Sequence, residues 1–182
     1  MQLWSSLSEV PEGCSATAVT IGKFDGIHLG HLALLKAATD AAAAQSLTSV
    51  CVTFDRHPDA LLAPDRLRQP LIGPGQKRSL IEAAGFEAML ELPFDEQLAC
   101  LTPRDFVESI LVRGLNVRHL VVGQDFRFGA KGAGTVETLH QLATEFGFSV
   151  EVIAPVLVDG QRVSTSLIRE LLDTGEVATA AR

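Results

Sequence analysis

The sequence predicts an α/β fold with a doubly wound parallel sheet. Short apolar runs alternate with helical patterns along the whole chain, which is the order of elements found in parallel sheets. Two of the apolar runs end at a glycine, Gly22 or Gly123, and the first is followed by a glycine-punctuated turn and an alanine-rich helical pattern. Ligands of such sheets bind at the carboxyl ends of the strands, so candidate functional residues are sought there.

The individual elements follow from the same patterns. Apolar runs predict strands at 16–21, 48–54, 88–92, 119–123 and 149–157, and helical periodicity predicts helices at 32–45, 76–84, 103–113 and 136–146. Residues 156–163, which turn at Asp159-Gly160, predict a hairpin that leads into a further helix. Residues 55–75 contain four prolines and are the longest irregular stretch, so we expect them to form a loop over the crevice.

Composition favours one globular domain over residues 1–182. The chain is 47% hydrophobic and 20% charged, and its formal net charge of −7 argues against extensive binding to nucleic acid. No apolar run approaches 18 residues, which predicts no membrane partner. The three cysteines are widely spaced, and we expect them to be small buried hydrophobes in a reducing cytoplasm.

The most informative segment is the turn that leads to His28 and His31. Unpaired N–H groups and the helix dipole make a helix N-terminus attractive to phosphate, and two histidines three residues apart lie on one side of the first helical turn. Both imidazoles can then donate to one phosphate. The alternatives are a metal-ligand pair or two surface histidines. A metal site needs a third ligand, and no cysteine or acidic cluster lies beside the pair, so no metal ligand is assigned to the protein.

Two further clusters follow predicted strands. Phe54 ends the predicted strand 48–54 and His57 and Pro58 follow it, so they emerge at the same edge of the sheet as the histidine turn. Phe126 and Phe128 alternate with charged residues beyond Gly123 and precede three glycines. Core packing is the usual role of such phenylalanines, but aromatic side chains beside a loose loop can also stack on a flat ring, and a tricyclic flavin would gain most.

A last cluster lies near the C-terminus, where Ser164, Thr165 and Ser166 stand between Arg162 and Arg169. Helix capping explains one hydroxyl, but three in a row flanked by two arginines favour binding of a triphosphate.

These motifs resemble a known family. Residues 22–31 are similar to the Gly-x-Phe-Asp-x-x-His-x-Gly-His signature of nucleotidylyltransferases. Together with 53–58, 121–129 and 163–169 they resemble the FMN adenylyltransferase (FAD synthetase) module of bacterial bifunctional riboflavin kinase/FAD synthetases. The resemblance implies a Rossmann-like sheet of the nucleotidylyltransferase type. Many members carry Asn where Asp125 stands, and an aspartate repels phosphates unless a cation intervenes.

The resemblance implies transfer of AMP from ATP to FMN, giving FAD and pyrophosphate, with Mg²⁺ entering with ATP. It assigns transition-state stabilisation to His28, His31 and Arg169, and ATP binding to Gly22, Phe24, Asp25, Gly30, Arg162, Ser164 and Thr165. It assigns the flavin side to Phe54, His57, Pro58, Asp125, Phe126 and Phe128. Asp25 is also expected to cap its own turn.

Two other functions remain open. A cytidylyltransferase acting on a small phosphorylated alcohol would share the histidine turn and the hydroxyl cluster. A non-catalytic flavin- or nucleotide-binding module would bind FMN without releasing pyrophosphate. The riboflavin kinase barrel of the family has no counterpart in these 182 residues. We therefore expect no kinase activity and a supply of FMN from a separate riboflavin kinase domain or protein.

Overall fold

A computed structural model describes residues 1–181, and Arg66 by its backbone only. Its centre is a six-stranded sheet in which every neighbouring pair is parallel, in the order β1-β4-β3-β2-β5-β6. The strands are β1 (Gln2–Trp4), β2 (Thr17–Ile21), β3 (Thr48–Phe54), β4 (Ala88–Leu92), β5 (Val117–Gly123) and β6 (Ser149–Ile153). The predicted fold class is confirmed.

Helices flank the sheet and a small hairpin lies beside it. The helices are α1 (Leu29–Gln45), α2 (Asp59–Leu62), α3 (Pro74–Ala83), α4 (Glu96–Cys100), α5 (Pro103–Phe106), α6 (Val136–Phe146), α7 (Thr165–Asp173) and α8 (Val177–Ala180). Helix α5 runs directly into a π-helical segment, Val107–Gly114. The hairpin consists of β7 (Leu157–Val158) and β8 (Gln161–Arg162). No helix among the described residues has both the length and the apolar character needed to cross a bilayer.

Alternation along the strands builds one apolar core on each face of the sheet. Val50 and Val52 pack on one side with the segments that contain Phe106 and Leu139, whereas Cys51 packs on the other side with α1 and α3. Strand β2 is buried along its whole length, as expected for a parallel strand covered on both faces. Its two buried threonines donate to backbone carbonyls, so that burial leaves neither hydroxyl unpaired.

The strand order reverses beside β2. From β2 the chain proceeds outward through β3 to β4, and it later returns to place β5 on the opposite side of β2. The carboxyl ends of β2 and β5 therefore border a topological switch point, where ligands of open α/β sheets bind. The segments after Ile21 and Gly123 both begin there.

Several expectations from the sequence need correction. The predicted strand 149–157 ends at Ile153, because Pro155 cannot donate to a ladder, and Leu157 belongs to the hairpin. Strand β1 was not predicted, since three residues show no readable pattern. Residues 55–75 contain α2 and the first residues of α3 rather than only irregular loop. Cys51 alone is fully buried, Cys14 is partly buried and Cys100 is exposed.

Candidate active site

A cavity of about 1120 Å³ opens at the carboxyl ends of the central strands. Segments that follow β2, β3, β4 and β5 line it, together with the hairpin and the start of α7. The predicted residues that line it are Gly22, Asp25, His28, Gly30, His31, Phe54, His57, Pro58, Asp125, Phe126, Phe128, Arg162, Ser164, Thr165 and Arg169. The volume exceeds the usual range for one small ligand, about 300–1,000 Å³.

Phe24 is the exception among the predicted residues. It is fully buried and is not among the residues that line the cavity, and its assignment to ATP binding stays a prediction. Its backbone has a left-handed φ of 48°, which turns the ring inward. A Cβ on Gly22 would lie 3.0 Å from this ring, which explains why glycine occupies position 22. The Phe24 ring contacts the His31 ring edge-on, with centroids 5.3 Å apart, and so packs against that imidazole.

The two histidines form a stacked pair at the start of α1. Their ring centroids lie 3.8 Å apart with planes inclined by 18°. His28 is the N-cap, and its Nδ1 accepts the backbone N–H of His31 at 3.3 Å. A neutral His28 ring that accepts at Nδ1 carries its proton on Nε2, so Nε2 is the donor left for a ligand. Gly30 allows this packing, because a Cβ there would lie 3.1 Å from the His28 ring.

Burial keeps both imidazoles neutral. It lowers the pKa of His31 to about 3, with a smaller contribution from the charge of His28. Burial also lowers the pKa of His28, and the positive charge of Arg162 lowers it further. The Nδ1 atom of His31 is buried without a hydrogen-bond partner among the described residues. A neutral imidazole still carries one N–H, so each ring can donate a hydrogen bond to an anion.

An aromatic wall stands at the carboxyl ends of β3 and β4. The Phe54 ring contacts Phe94 edge to face, with centroids 5.4 Å apart and planes at 85°. His57 lies beside Phe54 and uses Nδ1 to accept the backbone N–H of Asp59 at 3.1 Å. Phe94 was not predicted as a site residue. It follows β4 by two residues, so the rule that strand ends meet at one edge would have found it.

A second pair of rings follows β5. Phe126 and Phe128 lie parallel within 15°, with centroids 5.5 Å apart, and Phe128 also contacts Phe106. Phe128 is 5% exposed, so it packs in the core with one edge on the cavity, whereas Phe126 is partly exposed. A Cβ on Gly134 would lie 2.7 Å from the Phe128 ring. The glycine therefore makes room for the stack, a role that the sequence did not indicate.

Asp125 and Arg162 both line the cavity and form an ion pair. Arg162, the last residue of β8, donates from Nη2 to Oδ2 of Asp125 at 2.6 Å. The hydrogen bond from Arg162 lowers the pKa of the Asp125 carboxyl. Asp125, which was predicted to bind the flavin, is thus in direct contact with Arg162, which was predicted to bind ATP.

The hydroxyls of Ser164 and Thr165 have different hydrogen-bonding roles at the start of α7. Ser164 is the N-cap and accepts the backbone N–H of Leu167 at 3.2 Å. Thr165 lies in the first turn and donates to the backbone carbonyl of Asp25 at 3.1 Å. The guanidinium of Arg169 also reaches the histidine turn, where Nη2 donates to Asp25 Oδ2 at 2.6 Å and Nη1 donates to the Gln69 carbonyl.

Asp25 does not cap its own turn. Its Oδ1 accepts the backbone N–H of Leu71 at 2.8 Å and that of Ile72 at 3.4 Å, so it holds the segment after β3 against the histidine turn. The expectation of a turn-capping carboxylate is therefore wrong.

Positive side chains line the cavity despite the net charge of −7. They are Lys23, Arg68, Arg127, Lys131, Arg162 and Arg169. In the described part of the chain, no three His, Cys, Asp or Glu residues are grouped so that they could hold a metal ion. Five acids, Asp25, Asp59, Asp125, Glu170 and Asp173, also line the cavity, so its positive side chains outnumber its acids by one.

The chain spans about half the length of the curated relatives it matches. It is 34% identical over 176 residues to the bifunctional riboflavin kinase/FMN adenylyltransferase of Escherichia coli K12, which is 96% of this chain and 55% of that protein. The proteins of the same name from Pseudomonas fluorescens and Bacillus subtilis are 35% and 33% identical, and the matches cover 58% and 54% of their lengths.

Two solved structures share the fold. A Streptococcus pneumoniae structure described as a macrolide-efflux protein superposes with a TM-score of 0.81 at 28% identity, over 93% of this chain and 56% of that one. Pantoate-beta-alanine ligase from Francisella tularensis, complexed with β-γ ATP and β-alanine, superposes with a TM-score of 0.56 at 14% identity, over 96% and 77%. The second likeness concerns the fold alone.

The model of a protein family matches most of the chain. The matched residues are 10–167, and they include the histidine turn, both aromatic pairs and the hydroxyl cluster. The family is described as FAD synthetase, and the chain belongs to it.

Proposed function

We propose that this protein transfers AMP from ATP to FMN, giving FAD and pyrophosphate. The observation that carries the proposal is that a donor pair suited to phosphate and aromatic walls suited to a flat ring line one cavity. The family of the chain and the names of its relatives support the same reaction.

The reaction needs positioning more than covalent help. A phosphate oxygen of FMN attacks the α-phosphorus of ATP, a new P–O bond forms, and the bond to the β-phosphate oxygen breaks in line as pyrophosphate leaves. No protein nucleophile is required. We propose that His28 donates from Nε2 to the oxygens on which charge develops, since its Nδ1 already accepts the His31 N–H. The His31 ring stacks on that imidazole, and Phe24 contacts the His31 ring edge-on.

Cations neutralise the leaving pyrophosphate. We propose that Arg162 and Arg169 act at the phosphate end of the cavity together with the Ser164 hydroxyl, while the Thr165 hydroxyl donates to the Asp25 carbonyl and connects α7 to the histidine turn. Mg²⁺ enters as part of the nucleotide substrate. Asp25 acts indirectly in this scheme, because its carboxylate binds Arg169 rather than facing a ligand alone.

The aromatic residues favour FMN as the acceptor. Phe54, Phe94, Phe126 and Phe128 offer ring faces and edges to an isoalloxazine, with His57 and Pro58 beside them. A cytidylyltransferase for a small phosphorylated alcohol would not need these aromatic side chains. A non-catalytic binding module would not need the paired imidazoles.

Incubation of the purified protein with FMN, Mg²⁺ and either ATP or CTP tests the proposal. We expect FAD and pyrophosphate in equal amounts with ATP. Consumption of CTP without FAD would favour the cytidylyltransferase, and quenching of FMN fluorescence without pyrophosphate would favour the binding module. We further propose that a riboflavin kinase domain or protein supplies FMN, and that the reaction takes place in the cytoplasm, where free cysteines stay reduced.

A further inference from the structure

The ion pair between Asp125 and Arg162 lies where phosphates are expected to bind. A Cβ on Gly30 would lie 3.1 Å from the His28 ring and 3.7 Å from the carbonyl of Val163, the residue after Arg162, so Arg162 stands at the histidine end of the cavity. Its positive charge lowers the pKa of the His28 imidazole. The carboxylate of Asp125 contacts the same guanidinium at 2.6 Å. An anion that binds to His28 and Arg162 therefore meets a fixed negative charge.

The Asp125 carboxylate is also accessible to a ligand. Its side chain is 67% exposed, and that of Arg162 is 50% exposed, so a ligand can reach both. Asp25 differs, because Arg169 and two backbone N–H groups surround its carboxylate and leave it 13% exposed. Of these two acids, Asp125 is the one that an incoming phosphate would face directly.

We propose that the Asp125 carboxylate makes this site select the magnesium complex of a nucleoside triphosphate over the free triphosphate. Free triphosphate competes with Asp125 for Arg162 and is repelled by the carboxylate. Bound Mg²⁺ neutralises part of the phosphate charge and can attract the carboxylate. Asp125 therefore opposes binding of the free triphosphate and tolerates its magnesium complex. The selection rests on the proposed function, because it presumes that the phosphates of ATP lie at the histidine end.

Coulomb's law gives the expected size of the effect of the Asp125 charge on nucleotide affinity. A unit charge several ångströms from the phosphates in a largely solvated site changes the relative affinity of the two forms by about three- to tenfold. Salt screens such exposed charges, so the discrimination should weaken as ionic strength rises. If Asp125 served only to orient Arg162, its loss would weaken both forms alike.

The test measures binding of ATP by isothermal titration calorimetry in the absence of FMN, once with excess Mg²⁺ and once with a chelator. The Asp125→Asn variant keeps the size of the side chain and removes its charge. The matched control is Asp40→Asn, which changes the net charge equally but lies in an exposed pair with Lys36 outside the cavity.

We expect Asp125→Asn to tighten binding of free ATP by about three- to tenfold while the affinity for the magnesium complex changes less. The control should leave the ratio of the two affinities at the wild-type value. An unchanged ratio in Asp125→Asn, or an equal weakening of both forms, would overturn the inference. Formation of FAD by the wild-type protein, measured separately, keeps the proposed function standing in that event, whereas no binding of either form would overturn both.

Discussion

Arg169 and Asp25 form an ion pair that joins two distant parts of the chain inside the cavity wall. Nη2 of Arg169 lies 2.6 Å from Oδ2 of Asp25, and the two side chains are 21% and 13% exposed. The other carboxylate oxygen accepts the backbone N–H groups of Leu71 and Ile72. One carboxylate therefore connects the histidine turn, α7 and the segment between β3 and α3.

Replacing Asp25 with Asn should loosen this connection. The variant loses a charge-assisted hydrogen bond and leaves the Arg169 guanidinium without its anion, so we expect the free energy of unfolding to fall by about 1.5–3 kcal/mol. Urea denaturation measures the loss. The control Asp40→Asn removes an exposed i,i+4 pair, which contributes about 0.5 kcal/mol or less. Equal stability of the two variants would show that the Asp25 pair does not hold the segments together.

Loss of the His28 imidazole should slow the transfer reaction. A donor aimed at developing charge contributes about 3 kcal/mol, so His28→Ala should lower kcat about a hundredfold. His31→Ala should have an effect in the same direction, because it removes the ring on which His28 stacks. Release of pyrophosphate at saturating FMN and ATP measures both. The control is His140→Ala, an exposed histidine outside the cavity. Turnover near the wild-type rate in both site variants would remove these side chains from the mechanism.

The depressed pKa of His31 should make stability depend on pH. The pKa is lowered from 6.5 to about 3 in the folded protein, so the unfolded chain binds the extra proton first as the pH falls. The stabilisation is thus fully present above pH 6.5 and is lost progressively as the pH falls from there toward 3. Between pH 7 and pH 5 the loss due to His31 amounts to at most about 2 kcal/mol.

Urea denaturation of the wild type and of His31→Asn at pH 5 and pH 7 isolates this contribution. The wild type should lose more stability than the variant over that interval. Equal losses would mean that the His31 pKa is not depressed, and an imidazole NMR titration with a midpoint near 6.5 would lead to the same conclusion.

A methyl group at position 134 should disturb the aromatic stack. The added Cβ would lie 2.7–2.8 Å from three atoms of the Phe128 ring, so the ring must move and Phe126 with it. Overpacking of this kind costs about 1–3 kcal/mol, and we expect Gly134→Ala to weaken FMN binding about tenfold with a smaller effect on ATP. Titration by FMN fluorescence measures the change. Gly75→Ala is the matched control, since nothing lies within 4 Å of its added Cβ. A wild-type affinity for FMN would argue that the Phe126–Phe128 stack does not form part of the flavin wall.

The sequence by itself determined five of the six strands of the sheet, because alternation of apolar runs and helical periods reports local geometry. Strands β3 and β4 and helix α6 have the predicted bounds, and the rule that parallel strands end at one edge correctly gathered His28, Phe54 and Phe126 around one cavity. These inferences need only neighbouring residues and the topology that they imply.

Tertiary structure alone decided which polar groups meet. Asp25 pairs with Arg169 across 144 positions of sequence and Asp125 pairs with Arg162 across 37, and no local pattern encodes either contact. The same holds for Phe24, whose left-handed backbone turns the ring into the core, and for Gly134, which leaves room for the Phe128 ring. Periodicity along a chain indicates which side of an element is apolar, but the partner of a charged group depends on how loops from different strands pack together.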